Sequence, residues 1–498
     1  MSQAVLQKAK TSTIWLFADS WFSLAFGLVS TVILARILGP EVFGTIAIAG
    51  SLMGAAYMFV GPALTECLKQ RETLEEAHAQ TVFWTNTVCR LILTVVFILT
   101  APIAGQVFRS DLVAQIIPAL ALAALIGSLA DVPEALIERE LDHKGLVILD
   151  AIVDFAASLT AIGLALAGFG VWSLVFSQLV ISCAGTAGIY IIARWRPRFI
   201  WSRQHWGELY KFNRDTIAIN VLGYLDDAIP RLAIGAVLGE KAVGLFSLAM
   251  KISSLLAGML LGPFSELSMT VTARLQSNLQ GLRALLDRVF TLTTFLLYPT
   301  MIGAILVAPL ALPLLFGERW DGLVPAAQVA LLLGIRHASG DFSFSLLIGV
   351  GATTIPVIIM AIGVVALAAL MPFALMYGTI GVVALVTARV FITWPISAAF
   401  VSKHIDYSAL RQFTIGWRSL LAALVMAACV LLLQEALPNT LADELKLFVL
   451  IMAGGIVYTG FYFLVWSSRF MTGLKVLFQI GEQGDADFDS MLSVQEPI

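Results

Sequence analysis

Apolar runs of about 20 residues, separated by short polar or glycine-bearing turns, recur along the whole chain. At 1.5 Å per residue a helix of that length crosses the roughly 30 Å hydrocarbon core of a bilayer. The runs fall at 14–35, 45–65, 82–104, 113–130, 147–167, 171–193, 216–238, 244–264, 289–315, 324–348, 354–374, 379–400, 419–437 and 446–466. They predict an all-α integral membrane protein of about fourteen transmembrane helices. The first run follows Lys8 and Lys10. It is too long for the apolar core of a signal peptide and lacks a small-residue cleavage site, so it reads as the first span. Arg336, His337 and Asp341 interrupt the tenth.

Orientation follows from where the basic residues lie between spans. With the N-terminus in the cytoplasm, twenty Lys and Arg fall in cytoplasmic segments and five, Arg36, Arg109, Lys241, Arg319 and Lys446, in outer loops. The remaining five lie inside spans. This split predicts that both termini are cytoplasmic. The outer loops are short, so no soluble domain is expected there. The acidic tail after Gly481, with Glu482, Asp485, Asp487 and Asp489, reads as a disordered end.

The chain also repeats itself. At an offset of 200 residues, Leu38-Gly39 meets Leu238-Gly239, Gly44 meets Gly244 and Ala49 meets Ala249. A second echo joins Gly170-Val171 to Gly381-Val382. Six spans separate the echoes, and an even number preserves orientation. The expectation is two parallel six-helix repeats, an architecture of transporters with the substrate between the halves. The predicted organisation is an N-terminal lobe over 1–193, a basic cytoplasmic linker over 194–215 and a C-terminal lobe over 216–400. Two extra helices within 401–466 and a tail over 467–498 complete it.

Composition narrows the function. Of 498 residues, 59% are hydrophobic and 13% charged, with a net charge of −3; the mean hydropathy is +0.91. A soluble enzyme, a disordered chain or a nucleic-acid-binding domain is excluded on these values. Cys67, Cys89, Cys183 and Cys429 form no C-x-x-C pair, so neither a disulfide frame nor a metal site is expected. The chain has no H-E-x-x-H, G-x-S-x-G or phosphate-binding glycine loop, and its five histidines are scattered. No catalytic residue, cofactor or metal is predicted, and the chain is not expected to be an enzyme.

The informative residues are charges inside the spans. Each costs about 2.5–3.5 kcal/mol at the bilayer centre and persists by facing protein or a hydrated cavity. Asp19 lies in the first span, Arg90 in the third, Asp150 and Asp154 in the fifth, and Asp226, Asp227 and Arg231 in the seventh. Lys251, Arg336 with His337 and Asp341, and Arg389 follow in the eighth, tenth and twelfth. Asp227 and Arg231 have the spacing of an intrahelical ion pair, and Pro230 between them disrupts the local backbone ladder. The alternatives are structural: a self-neutralised pair for Asp227–Arg231, snorkelling for Arg90 and Arg389, an edge position for Asp19 and Lys251. Taken together, the charges fit a hydrated cavity, with the five cations pointing to an anionic substrate group.

Several segments carry a resemblance. They are Leu34-Ala35-Arg36-Ile37-Leu38-Gly39-Pro40 with Phe43-Gly44, Gln70-Arg71 with Thr81-Val82-Phe83-Trp84-Thr85-Asn86, and Pro133-Glu134-Ala135-Leu136 with Arg139. Gly168-Phe169-Gly170-Val171-Trp172, and Leu238-Gly239 with Val243-Gly244 and Ala249-Met250-Lys251, complete the series. In this order and spacing the chain resembles the polysaccharide transporter family, the Wzx-like flippases of the multidrug/oligosaccharidyl-lipid/polysaccharide exporter superfamily. The resemblance implies a two-lobed bundle with alternating access. It implies an oligosaccharide carried on undecaprenyl pyrophosphate, flipped to the outer leaflet for exopolysaccharide, capsule or O-antigen synthesis. Membrane lipids, a polysaccharide polymerase and a co-polymerase are the implied partners; no nucleic acid is.

A pyrophosphate is a dense anion that Arg and Lys hold by charge-assisted hydrogen bonds. Arg231, Lys251, Arg336, Arg90 and Arg389 are therefore the candidate substrate contacts. Asp154, Asp226, Asp227 and Asp19 are candidates for coupling or gating. The rival readings are a multidrug or small-cation antiporter of the same superfamily and, in a different class, a membrane polysaccharide polymerase or ligase.

Overall fold

The structure is a computed structural model describing residues 26–57, 65, 68–69, 74–140, 143–204, 206, 214–274, 279–349, 352, 354–438 and 440–482. Among these residues the chain is helical, with no strand. Helix α1 is Phe26–Leu38, followed by α2 (Pro40–Tyr57), α3 (Glu76–Phe108), α4 (Asp111–Ser128), α5 (Asp131–Arg139), α6 (His143–Leu166) and α7 (Val171–Ala193). Then come α8 (Arg214–Leu238), α9 (Glu240–Arg274), α10 (Leu279–Phe316), α11 (Leu323–Leu331), α12 (Leu333–Gly349), α13 (Thr354–Leu375) and α14 (Gly378–Ile405). The last are α15 (Ala409–Thr414), α16 (Trp417–Ala436) and α17 (Asp443–Glu482), which breaks at Trp466.

Helix lies at each of the fourteen expected positions. Ten helices are long and apolar enough to span a membrane by length and composition, or up to eleven if α1 and α2 form one bent span. The full count of fourteen is thus not reached on that criterion, for local reasons. Three charged side chains sit within one part of α8, and the tenth expected span is split at Leu332 into α11 and α12. The apolar windows of the ten are only 17–44% buried. Leu99, Leu166, Ile191 and Leu464 are each more than 70% exposed. Apolar surface turned outward on this scale is lipid-facing surface.

The helices form two compact units. The first comprises residues 1–247 and 360–385, the second 248–359 and 386–498. The division passes within α9, α13 and α14 and so does not coincide with the boundary between the sequence repeats.

Within the first unit, α3, α4 and α7 are tied by side chains bonding to backbone carbonyls. Thr94 Oγ1 donates to Ala121 O (3.4 Å), Thr186 Oγ1 to Ile126 O (3.0 Å) and the Tyr190 hydroxyl to Leu129 O (3.0 Å). Within the second unit, α10 is the axis of a core that includes Phe290, Leu297 and Met301. Ala422 and Met426 of α16 and Tyr458 of α17 pack against it, and the Tyr458 hydroxyl donates to Phe295 O at 2.8 Å. At 38 residues α10 is about 57 Å long, well beyond a bilayer core. Its first turns carry a polar latch: Asp287 accepts from Arg411 Nη2 (2.6 Å) and from the Tyr407 hydroxyl, and Arg283 Nη2 donates to Asp406 (2.8 Å). Burial, and then the bond to Asp287, push the Tyr407 phenol up from its ordinary value.

The repeat has a physical counterpart in the first unit. Gly39 and Gly239, 200 residues apart, both adopt positive φ (80° and 87°) just before α2 and α9 begin. Five residues on, Gly44 and Gly244 meet the opposite helix reciprocally. A Cβ on Gly44 would overlap the Glu240 carbonyl, and a Cβ on Gly244 would overlap the Pro40 carbonyl. The contact is self-complementary, as expected where two copies of one motif meet about a two-fold axis. Backbone rather than a flexible side chain opposes each glycine, so a side chain there must separate the helices. One turn further along, the Tyr224 hydroxyl of α8 donates to Gly50 O (3.0 Å) and Ser51 O (3.1 Å) of α2.

Gly44→Leu should destabilise the protein by about 1–3 kcal/mol or more through overpacking, read as a lower melting temperature of detergent-purified protein. Gly163→Ala, with no atom within 4 Å of the added methyl, should melt at or slightly above wild type. Equal melting of the two variants would remove the reciprocal contact from the account.

Candidate functional site

In the first unit, α8 carries three charges within six residues, Asp226, Asp227 and Arg231. Asp227 and Arg231 form the ion pair that their spacing predicts, with side chains 55% and 23% exposed. Arg231 is therefore held by Asp227 in this conformation, and the self-neutralised alternative describes its ground state. The helix runs on through Pro230, which is buried. Asp226 beside them is half-buried. Tyr224, one turn earlier, lies within electrostatic reach of both Asp227 and Arg231 while its hydroxyl bridges to α2. Nothing in the sequence pattern singled out Tyr224, because its role depends on the carbonyls of a helix some 170 residues away.

Arg90 is half-buried midway along α3, about 21 Å from the helix start. It lies within electrostatic reach of Asp131, the first residue of α5. Around Asp131 stands a group of carboxylates and cations that hydropathy alone did not reveal. Glu134 is within reach of Glu138, Asp150, Asp131 and Lys69. Lys69 pairs with Glu138, and Arg139 Nη1 donates to Leu68 O (2.9 Å) and Lys69 O (3.2 Å). Glu134 and Arg139 belong to one of the segments that carry the family resemblance, which was the available signal. Asp154, half-buried on α6, shares a face with Asp150. Asn86 precedes Arg90 by one turn on the same face of α3 and is 1% exposed. Neither polar atom of its amide finds a partner among the described residues. Asp19 lies outside the described residues.

The second unit holds Lys251, Arg336 and Arg389. Lys251 is exposed, about 16 Å from the start of α9. It therefore sits near mid-span, deeper than the edge position considered from sequence. Ser253 Oγ, two residues on, donates to Ala330 O (2.9 Å); Thr387 Oγ1, two residues before Arg389, donates to Val329 O (3.4 Å). Both acceptors lie at the end of α11, a few residues before half-buried Arg336. The fold thus brings the three cation-bearing segments to one level. Residues two apart on a helix point about 200° apart, so Lys251 and Arg389 do not share the directions of Ser253 and Thr387.

If Arg90 chiefly balances Asp131, Arg90→Gln should destabilise the protein by leaving a carboxylate uncompensated, and Arg90→Gln/Asp131→Asn should regain most of that loss. Melting curves for the two single variants and the double variant measure the coupling. A coupling near zero would free Arg90 for a role in ligand contact.

The arrangement is one of cations and carboxylates on otherwise lipid-exposed helices, and the chain is similar to known proteins. The family described as polysaccharide biosynthesis protein matches residues 33–325. Over 469 residues the chain is 26% identical to the succinoglycan biosynthesis transport protein ExoT of Rhizobium meliloti, covering 92% of this chain and 94% of that protein. It is 22% identical to the lipopolysaccharide biosynthesis protein WzxC of Escherichia coli, over 68% of this chain and 70% of that one. Among solved structures, the lipid II flippase MurJ in an inward closed conformation superposes with a TM-score of 0.76 at 14% identity, over 91% of this chain and 99% of MurJ. An inward-facing multidrug resistance MATE family transporter of the MOP superfamily gives 0.57 at 16% identity, over 77% and 95%. At such identities these two show the fold alone, that of a multi-span membrane transporter. The family match covers more than half of the chain, and the protein belongs to the polysaccharide biosynthesis protein family, on a fold shared with the transporters of the MOP superfamily.

Proposed function

We propose that this protein is a flippase. It moves an oligosaccharide carried on undecaprenyl pyrophosphate from the cytoplasmic to the outer leaflet of the bacterial cytoplasmic membrane, by alternating access. The observation that carries this reading is the presence of Arg90, Arg231, Lys251, Arg336 and Arg389 inside spans of a protein whose relative along nearly its whole length is a succinoglycan transport protein. A hydrophobic pathway gains nothing from such cations; a pyrophosphate passing through it does. That ExoT is named a transport protein and MurJ a flippase supports action by transport rather than as an enzyme.

The lobes in this reading are residues 1–193 and 216–400, joined by the basic linker over 194–215, with 401–466 added. The excess of Lys and Arg on one side supports cytoplasmic termini. Arg231 is the first candidate contact. Its guanidinium is held by Asp227 until an incoming phosphate competes for it, and Asp227 can then take a gating part. Lys251, Arg336 and Arg389 offer further positive charge at mid-depth. Asp154 and Asp226 are candidates for coupling, and a polymerase with its co-polymerase would receive the flipped unit.

Arg231→Ala should lower transport at least several-fold while expression stays at wild-type level; unchanged transport would take Arg231 out of the site. The reading as a whole is tested by depleting the protein and isolating undecaprenyl-linked glycans from each leaflet. Repeat units should accumulate on the cytoplasmic face. Unpolymerised units on the outer face would indicate a polymerase or ligase, and altered efflux of a small cation with no trapped glycan would indicate an antiporter.

A further inference from the structure

The segment after α7 has an unusual composition. From Arg194 to Trp206 it holds four arginines, three tryptophans and no carboxylate. It is fastened to the first turns of α3. The Arg198 amide donates to Gln80 Oε1 (2.7 Å), and Gln80 Nε2 donates to Arg196 O (3.3 Å). Trp84 Nε1 donates to Arg198 O (2.8 Å), and the Ser202 amide donates to Thr81 Oγ1 (3.2 Å). These bonds use the backbone of the strap; of its side chains, Trp201 Nε1 donates to Thr85 Oγ1 (3.2 Å) and Trp195 and Trp206 pack against the core around Phe83, while Arg196, Phe199 and Arg203 stay exposed.

Three consecutive apolar residues are consequently exposed: Phe199 by 90%, Ile200 by 39% and Trp201 by 57%. Phe199 is stacked on Trp84, with centroids 4.2 Å apart and an interplanar angle of 17°, so its position is set although most of its surface is open. Arg196 and Arg203 are exposed on either side, and no ion pair to either is found among the described residues. Arg198 is engaged by Glu76 at 3.2 Å. A ridge of aromatic and aliphatic groups flanked by exposed arginines has the chemistry of the membrane–water interface. There the rings sit at headgroup level and the guanidinium groups meet lipid phosphate.

We propose that residues 196–203 form a docking site for the headgroups of anionic phospholipids in the cytoplasmic leaflet. Arg196 and Arg203 contact lipid phosphate, while Phe199, Ile200 and Trp201 rest at the acyl boundary. The leaflet rests on the orientation proposed above; the lipid chemistry rests on the strap itself. Charge complementarity selects the occupant, because a segment with four arginines and no carboxylate favours a net negative headgroup over a zwitterionic one. Lipid held here fixes the depth of the linker between α7 and α8.

The test uses the full chain in detergent. It is titrated separately with phosphatidylglycerol and phosphatidylcholine, and the lipid retained per molecule is counted by native mass spectrometry. Wild type should retain phosphatidylglycerol preferentially. Arg196→Gln/Arg203→Gln should weaken that retention about fivefold per arginine, whereas Arg196→Lys/Arg203→Lys, which preserves the charge, should keep most of it. Phe199→Ser should weaken both lipids. The lysine variant also serves as the comparison if the glutamine variant folds poorly. Equal retention of the two lipids by wild type, or undiminished phosphatidylglycerol binding by the glutamine variant, would overturn the proposal. So would binding of undecaprenyl pyrophosphate without binding of phosphatidylglycerol, which would reassign the strap to the substrate. The leaflet is read separately, by labelling Arg203→Cys in an otherwise cysteine-free chain. Labelling from outside the cell would overturn the cytoplasmic placement without touching the lipid result.

Discussion

The bilayer core offers no water to an exposed peptide group, and from that constraint the rest of this protein follows. Every spanning segment must satisfy its own backbone, so the described segments long and apolar enough to span are all helices. Side chains face the same demand. Threonines, serines and tyrosines bond to carbonyls, as Thr186 does to Ile126 and Ser253 to Ala330. Of the charges that remain, Asp227 and Arg231 match one another. A flippase for a glycan on a pyrophosphate must solve this problem twice, for itself and for its cargo.

Duplication offers a solution to the packing of the first unit. Two copies of a Leu-Gly turn followed by a second glycine place Gly44 against the Glu240 carbonyl and Gly244 against the Pro40 carbonyl. One short motif thereby supplies both sides of its own interface. Close backbone approach between helices is a recognised way to gain packing energy in lipid, where the hydrophobic effect does not drive helices together. Tyr224 adds a directional bond to the same pair of helices. A transporter that alternates between states benefits from contacts of this kind, since they are either made in full or lost together.

Charge outside the spans follows a different rule. There, solvent and headgroups compete, and isolated ion pairs contribute little. The strap after α7 therefore depends on backbone bonds to Gln80, Thr81 and Trp84 for its position, and Arg196 and Arg203 stay exposed beside it. The latch at the start of α10 differs because Asp287 is mostly buried, 16% exposed, and is met by both Arg411 and Tyr407.

Hydropathy alone established the class, the approximate helix positions and the location of most intramembrane charges, because the cost of polar groups in hydrocarbon acts residue by residue. The repeat was legible too, since a positive φ and a close approach both demand glycine at fixed positions. Pairings between distant residues were not legible. Arg90 meeting Asp131, Tyr224 reaching the carbonyls of α2, and an apolar Phe199 lying open on Trp84 leave no local trace in composition or period. Nor could the spacing of Lys251 and Arg389 show that Ser253 and Thr387 beside them bond to adjacent carbonyls at the end of α11. Sequence determined which segments enter the membrane, through a one-body cost of burial; tertiary structure decided which charges meet, through distances set by helix packing.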